Sequence, residues 1–242
     1  MPSPQHIRKP LQTAIIALVL LLAPTASASA ATVERLSNET TLSRWATPND
    51  RAPVRISPNG ESRSFVRLRY LTEDRRPELY LVLSRTEDRD GDEWVQVRLP
   101  RRPNGSTGWV RREALGPYQT VTTQLVVDRR RLKATLRRNG RAIWSSRIGV
   151  GKRGTPTPGG RFYIREMLKS PFGGTIYGPL AFGTSAYSSL SEWPRGGVIG
   201  IHGTNEPGIL PGRVSHGCIR VPNNNIRRLA RLMPIGTPLQ IK

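Results

Sequence analysis

The sequence predicts a mainly β chain in two parts, a small antiparallel barrel followed by a larger β-rich region with one short helix. Three observations carry this. Short strand-like segments alternate with turn clusters over residues 45–115. A second β-rich run follows, with Asn139-Gly140 between two alternating segments. Only one stretch, near the C-terminus, has apolar residues at helical spacing.

The elements follow in chain order. Residues 1–30 join a basic start (Arg8, Lys9), the apolar run LQTAIIALVLLLA and the small-residue site SASA before Ala31. That is the layout of a secretory signal peptide. The run falls short of the roughly twenty apolar residues of a membrane span, although an uncleaved anchor is the alternative. The mature chain is expected to be secreted and to meet the membrane only during export. Residues 31–44 are polar, without an apolar period, and read as a linker. From residue 45 come APVRIS, SFVRLRY, ELYLVLSR, EWVQVRL and TGWVRRE, parted by SPNGES, TEDRRP, EDRDGD and RRPNGS. Val95, Val97 and Leu99 alternate with Gln96 and Arg98, which marks one buried and one wet face. GPYQ at 116–119 reads as the seam between domains 45–117 and 119–242. Beyond it, Asn139-Gly140 signals a hairpin, because both turn positions need positive φ. In NNNIRRLARLM, Ile226, Leu229, Ala230 and Met233 form one helical face, with an asparagine to cap it and Pro234 to stop it. TPLQIK reads as an edge strand.

The charge is +21, from 38 Lys+Arg against 17 Asp+Glu. A basic surface favours anionic partners such as acidic wall polymers, and an arginine-biased genome accounts for it equally well. No recognisable nucleic-acid module is present, so nucleic acid is not an expected partner.

The single cysteine, Cys218, lies in RVSHGCIRV. In an exported protein an unpaired cysteine is an intermolecular bridge, a reactive thiol or a small buried hydrophobe. Residues two apart share a face of an extended segment, so Cys218 and Arg220 face one way and Ile219 and Val221 the other. In GGVIGIHG the same test sets Val198, Gly200 and His202 against Ile199 and Ile201. Laid side by side, the two segments bring His202 to Cys218, both facing outward, and Gly200, Gly203 and Gly217 leave room for another chain. A thiol reacts as thiolate and needs a base or positive surroundings, with a third group orienting the base. Glu206 is the one acid near His202 in sequence, so the orienting acceptor is expected to be a backbone carbonyl, that of Gly203. His216 is a candidate for polarising the thiolate or holding the loop. Arg220 is a candidate for binding a carboxylate, and the N–H groups of Gly217 and Cys218 for an oxyanion hole. The competing chemistry is a zinc site of His202, His216 and Cys218, against which stands the tight H-x-C spacing.

At these residues the sequence resembles the L,D-transpeptidase catalytic domain, the YkuD-like family. Its signature is a histidine, a loop, then [S/T]-H-G-C with an apolar residue and Asn or Arg; here His202 precedes SHGCIR. The resemblance extends over residues 122–242, through VVDRRRLKATLRRNG, IGVGKRGTPTPGGRFYI, YGPLAFGTS, IGIHGTNEP and LARLMPIGTPLQI. It implies a β-rich fold with a short helix, Cys218 as nucleophile, His202 as base, Gly203 as the orienting carbonyl, and Ser215, His216 and Gly217 as the supporting loop. Arg220 stands where some members carry asparagine. It also implies peptidoglycan stem peptides as substrate, 3–3 cross-links as product and acylation by carbapenems, with neither metal nor organic cofactor. YGPLAFGTSAYSSLSEWPRGG is expected to line or cover the substrate cleft, with Tyr177 and Trp193 as candidate contacts. Residues 45–115 resemble bacterial SH3-like domains, chiefly through EWVQVRLP and NGSTGWV, with Trp94 and Trp109 as core residues. The expectation is a monomeric enzyme of the cell envelope. An L,D-carboxypeptidase, in which water resolves the acyl-enzyme, and a non-catalytic wall-binding protein are the alternatives.

Overall fold

A computed structural model describes Met1 and residues 32–169, 176–192 and 194–242. The signal-peptide expectation and Trp193 lie outside the described residues. Residues 31–242 form one compact unit, mainly β, built on two sheets.

The first sheet takes β1 (Glu34–Arg35), β2 (Ser43–Ala46), β3 (Pro53–Arg55), β4 (Ser64–Arg67), β5 (Tyr80–Glu87), β6 (Glu93–Arg98), β7 (Thr107–Arg111) and β8 (Gln119–Val121). Its path is β4-β3-β7-β6-β5-β2-β8, with β1 also on β5, and every pairing is antiparallel. The short strands β4 and β8 end the path, and among the described residues no ladder joins them. The stretch expected as a linker is part of this sheet. It carries β1 and the start of β2, and between them the Asn38 carboxamide oxygen accepts from the N–H groups of Thr40, Thr41 and Leu42. This segment also changes the expected wet face of β6. Arg98 is 8% exposed because Glu39, from the same segment, lies 2.8 Å from its guanidinium. Val54, Val82, Val95, Val97 and Val110 fill the core beneath, and Trp94 and Trp109 are buried as expected.

The second sheet takes β9 (Thr123–Asp128), β10 (Lys133–Arg138), β11 (Arg141–Arg147), β12 (Gly149–Gly151), β13 (Gly160–Lys169), β14 (Leu180–Tyr187), β15 (Val198–His202), β16 (Gly212–Ser215), β17 (Ile219–Arg220) and β18 (Pro238–Ile241). The order is β11-β10-β9-β18-β13-β14-β15-β17-β12-β16. The chain changes sheet at Thr122, just beyond the expected seam. Asn139 and Gly140 make the expected turn with φ of 50° and 78°. β18 is not an edge strand: it lies parallel to β9 and antiparallel to β13. Leu239 and Ile241 alternate into the core, a pattern that edge and central strands share.

The one α-helix among the described residues, α1 (Asn223–Leu232), buries Ile226 and Leu229. Its cap position is Pro222 rather than an asparagine, and no side chain caps it. Asn223 is occupied elsewhere, at the site below. The two sheets meet over Leu79, Leu81 and Tyr163, where the Tyr163 hydroxyl donates to the Leu79 carbonyl at 3.0 Å. Beside that contact Arg165 of β13 reaches Glu78 and Glu73 of the segment between β4 and β5.

Candidate active site

β15 alternates as its sequence requires. Ile199 and Ile201 enter the core, while Val198, Gly200 and His202 line a small cleft together with Cys218, Tyr177, Phe182 and Gly183. β15 and β17 run side by side and parallel, with Ile201 opposite Ile219 and His202 opposite Arg220. Cys218 therefore stands one step before its strand, level with Gly200, whose N–H donates to Cys218 Sγ at 3.4 Å. A Cβ on Gly200 would lie 3.7 Å from His202 Cδ2 and 3.8 Å from Cys218 Sγ. The absent side chain keeps the floor between base and thiol open.

Both groups are more enclosed than the outward-facing pair expected. His202 is 3% exposed, with the Tyr177 ring edge-on to its imidazole at 5.0 Å. His202 Nδ1 lies 2.6 Å from the Gly203 carbonyl oxygen. A carbonyl only accepts, so Nδ1 carries the proton and Nε2 is the basic nitrogen. Burial pushes the imidazolium down, the Gly203 bond resists, and Arg220 adds to the fall, leaving a pKa of about 4. Burial also pushes the Cys218 thiol above its ordinary range, against the Gly200 N–H, Arg220 and Arg195. Both shifts favour the uncharged forms, a neutral thiol beside a neutral imidazole.

The loop 215–218 is fixed by its own polar atoms. The Ser215 hydroxyl donates to the Cys218 carbonyl at 2.6 Å and accepts the Gly217 N–H at 3.1 Å. This occupies the Gly217 N–H, one of the two expected oxyanion donors. Gly217 has φ of 122°, and a Cβ there would sit 2.8 Å from Ile199 Cδ1, so both backbone and space require glycine. Thr157 hydroxyl donates to the Gly217 carbonyl at 2.7 Å and accepts the Gly151 N–H at 2.9 Å. His216 is exposed on this loop and does not line the cleft; its carbonyl accepts from the Ser188 hydroxyl at 3.4 Å.

Arg220 also stays out of the cleft. Its Nη1 donates to Glu206 Oε2 at 3.0 Å, so the acid nearest His202 in sequence serves the arginine. Asn223 is the positioning residue that sequence reading missed. Its Oδ1 accepts the Thr204 N–H and its Nδ2 donates to the Thr204 carbonyl, both at 2.9 Å. This pair of hydrogen bonds fastens Thr204, whose N–H belongs to the same peptide as the Gly203 carbonyl beside His202. Thr157 was missed as well, although both lie in quoted blocks, because hydroxyls and carboxamides have many local uses. Asp74 and Arg195 line the cleft too; Arg195 lies in the stretch expected to line it, whereas nothing in the local sequence of Asp74 announces its place.

The profile of the L,D-transpeptidase catalytic domain family, YkuD, matches residues 122–241. The chain is 37% identical over 125 residues to the putative L,D-transpeptidase YkuD of Bacillus subtilis, covering 52% of this chain and 68% of that protein. It is 34% identical to the Bacillus licheniformis protein of the same name, over 50% of this chain and 67% of that one. The chain belongs to the YkuD family of L,D-transpeptidases. It is thereby an enzyme of the L,D-transpeptidase class, with β9–β18 and α1 as its catalytic domain. Among solved structures, the catalytic domain of the Enterococcus faecium L,D-transpeptidase acylated by ertapenem is 25% identical, with a TM-score of 0.36 over 50% of this chain and 96% of that one. The family match ends at the second sheet, and the first lies outside it.

Proposed function

We propose that this L,D-transpeptidase forms 3–3 cross-links between peptidoglycan stem peptides through a Cys218 thioester. The observation that carries the reading is a thiol and a Nδ1-protonated histidine sharing one cleft, with Gly200 open between them. His202 Nε2 takes the thiol proton as Cys218 Sγ attacks the carbonyl joining the L-centre of the third stem residue to the terminal D-residue. The Cys218 N–H steadies the developing oxyanion. The C–N bond breaks, the proton passes to the departing amine, and the D-residue leaves. An amine of a second stem then attacks the thioester and gives its proton to His202, which returns it to the thiol. Because both groups rest neutral, no charge is buried before substrate arrives.

The rest of the reading follows from that function. Residues 1–30 direct export, and the protein works as a monomer in the cell envelope. The first sheet is an SH3-like module that binds the wall or positions the catalytic domain. Carbapenems acylate Cys218 by the same attack on a carbonyl.

The test incubates the purified protein and its Cys218→Ala variant with disaccharide-tetrapeptide, followed by mass spectrometry. The expected product is a dimer lighter than two monomers by one free D-amino acid, absent from the variant, whose rate falls at least about 10³-fold. Tripeptide without dimer would replace the reading with an L,D-carboxypeptidase. No product from a folded wild type would favour the non-catalytic wall-binding protein.

A further inference from the structure

Two charged side chains in the cleft take no part in these steps. Asp74 and Arg195 line it beside Cys218, His202 and Tyr177, and Arg195 Nε lies 2.6 Å from Asp74 Oδ1. They come from different sheets: Asp74 from the loop that precedes β5, Arg195 from the turn that precedes β15. The acid is the inner partner, its side chain 14% exposed, and the guanidinium the outer one at 46%. Arg195 holds φ 59° and ψ 32°, the left-handed region that is costly for any residue with a Cβ and that points to a functional constraint.

The first sheet grips the same turn from a second side. The Arg102 guanidinium donates to the carbonyls of Ser188 at 2.7 Å and Gly196 at 2.9 Å. Asn104 exchanges two hydrogen bonds with the Tyr187 backbone, at 2.7 and 2.9 Å. The place of Arg195 is therefore set by the first sheet, not by the catalytic sheet alone.

A guanidinium offers five N–H donors in a planar fork. Asp74 engages the Nε end, and the Nη end suits a second carboxylate. The proposed donor stem ends in one: the α-carboxylate of its terminal D-residue sits two bonds from the nitrogen that departs. An arginine in the same small cleft as the thiol is placed to hold it. We propose that Arg195, positioned by Asp74 of the first sheet, binds the α-carboxylate of the D-residue that leaves the donor stem. This rests on the function proposed above. It makes the first sheet a part of the active site, and it selects stems with a free carboxylate one residue beyond the scissile bond.

The test compares disaccharide-tetrapeptide with the same compound carrying a C-terminal carboxamide, reading kcat/KM for D-residue or D-amide release. The wild type is expected to prefer the free acid by about 10- to 100-fold, the range of a charge-assisted hydrogen bond. Arg195→Gln should lose activity on the acid and little on the amide, so that the preference collapses. Arg195→Gly, which suits the backbone, should do the same, Arg195→Lys should restore part of the preference, and Asp74→Asn should weaken it. Equal loss on both substrates would overturn the proposal and leave Arg195 a structural residue. Equal turnover of both by the wild type would overturn this proposal alone. Turnover of neither would overturn the reading of function and this proposal with it.

Discussion

At the cleft, burial leaves His202 and Cys218 uncharged, whereas at the contact between the sheets, groups buried as deeply stay charged. The difference is in their partners. His202 meets a carbonyl, and the charges that act on the pair are the cations Arg220 and Arg195. Desolvation then decides, moving each group toward its neutral form. At the contact, Arg165 of β13 donates to Glu78 Oε1 and Glu73 Oε2, both at 2.9 Å. Tyr187 adds its hydroxyl to Glu73 at 2.6 Å, and Arg69 approaches both acids. Burial opposes these charges too, but Glu78 and Glu73 hold Arg165 well above the ordinary guanidinium range. In the same way Arg165, Tyr187 and Arg69 overcome burial and draw Glu73 down to about 2. One pair is held uncharged, as the proposed proton transfer requires, and the other cluster is locked in its charged form.

The largest effect should come from breaking the charged cluster. Arg165→Met leaves Glu78 buried without its main counter-charge, which costs about 3–5 kcal/mol. Urea denaturation of Arg165→Met should show this loss. The triple variant Arg165→Met, Glu73→Gln, Glu78→Gln should recover much of it, since the fully buried carboxylate is then gone and the cation left without its acids, Arg69, is 41% exposed and can be hydrated. A triple variant no more stable than the single one would mean that the cluster acts through shape rather than charge.

The two clusters should also fail in different pH windows. The unfolded chain protonates His202 near 6.5, but the folded chain only near 4. Unfolded molecules therefore bind the extra proton between those values, and stability falls as pH drops from about 6.5 to about 4. The loss is on the order of 3 kcal/mol. Glu73 has an ordinary value of 4.5 and a folded value of about 2, so the contact loses its contribution as pH drops through that lower interval. Denaturation profiles from pH 8 to pH 2 should show His202→Asn flattening the upper window and Glu73→Gln the lower one. Exchanged windows, or one window for both variants, would refute the assignment.

What the sequence made legible was local. The period-two patterns of β15 and β17 placed Ile199, Ile201 and Ile219 in the core and brought His202 and Cys218 into one cleft. The hairpin at Asn139 followed from two positive φ angles. What stayed illegible depended on pairings distant in sequence. The central place of β18 is set by β9, more than a hundred residues earlier. The burial of Arg98 depends on Glu39, and the loop bearing Asp74 reaches a cleft on the other sheet. The state of the thiol was illegible for the same reason, because its raised pKa comes from what encloses it.

The smallest expected effect concerns a residue whose signal was present but given the wrong meaning. Asn223 stands where a helix cap would, yet both ends of its carboxamide bond the Thr204 backbone. A Cβ on Gly203 would lie 2.4 Å from Asn223 Oδ1, so the carboxamide packs directly against the peptide whose carbonyl orients His202. Asn223→Ala removes two hydrogen bonds, each worth about 1 kcal/mol, and frees that carbonyl to drift from Nδ1. The imidazole then samples orientations in which Nε2 does not face the thiol. The expected outcome is a fall in kcat of about tenfold with KM nearly unchanged. Asn223→Asp keeps the acceptor for the Thr204 N–H and loses the donor to its carbonyl, so its kcat should fall between the two. A loss that appears in KM, or that follows thermal stability alone across the three proteins, would show that Asn223 supports the helix and not the base.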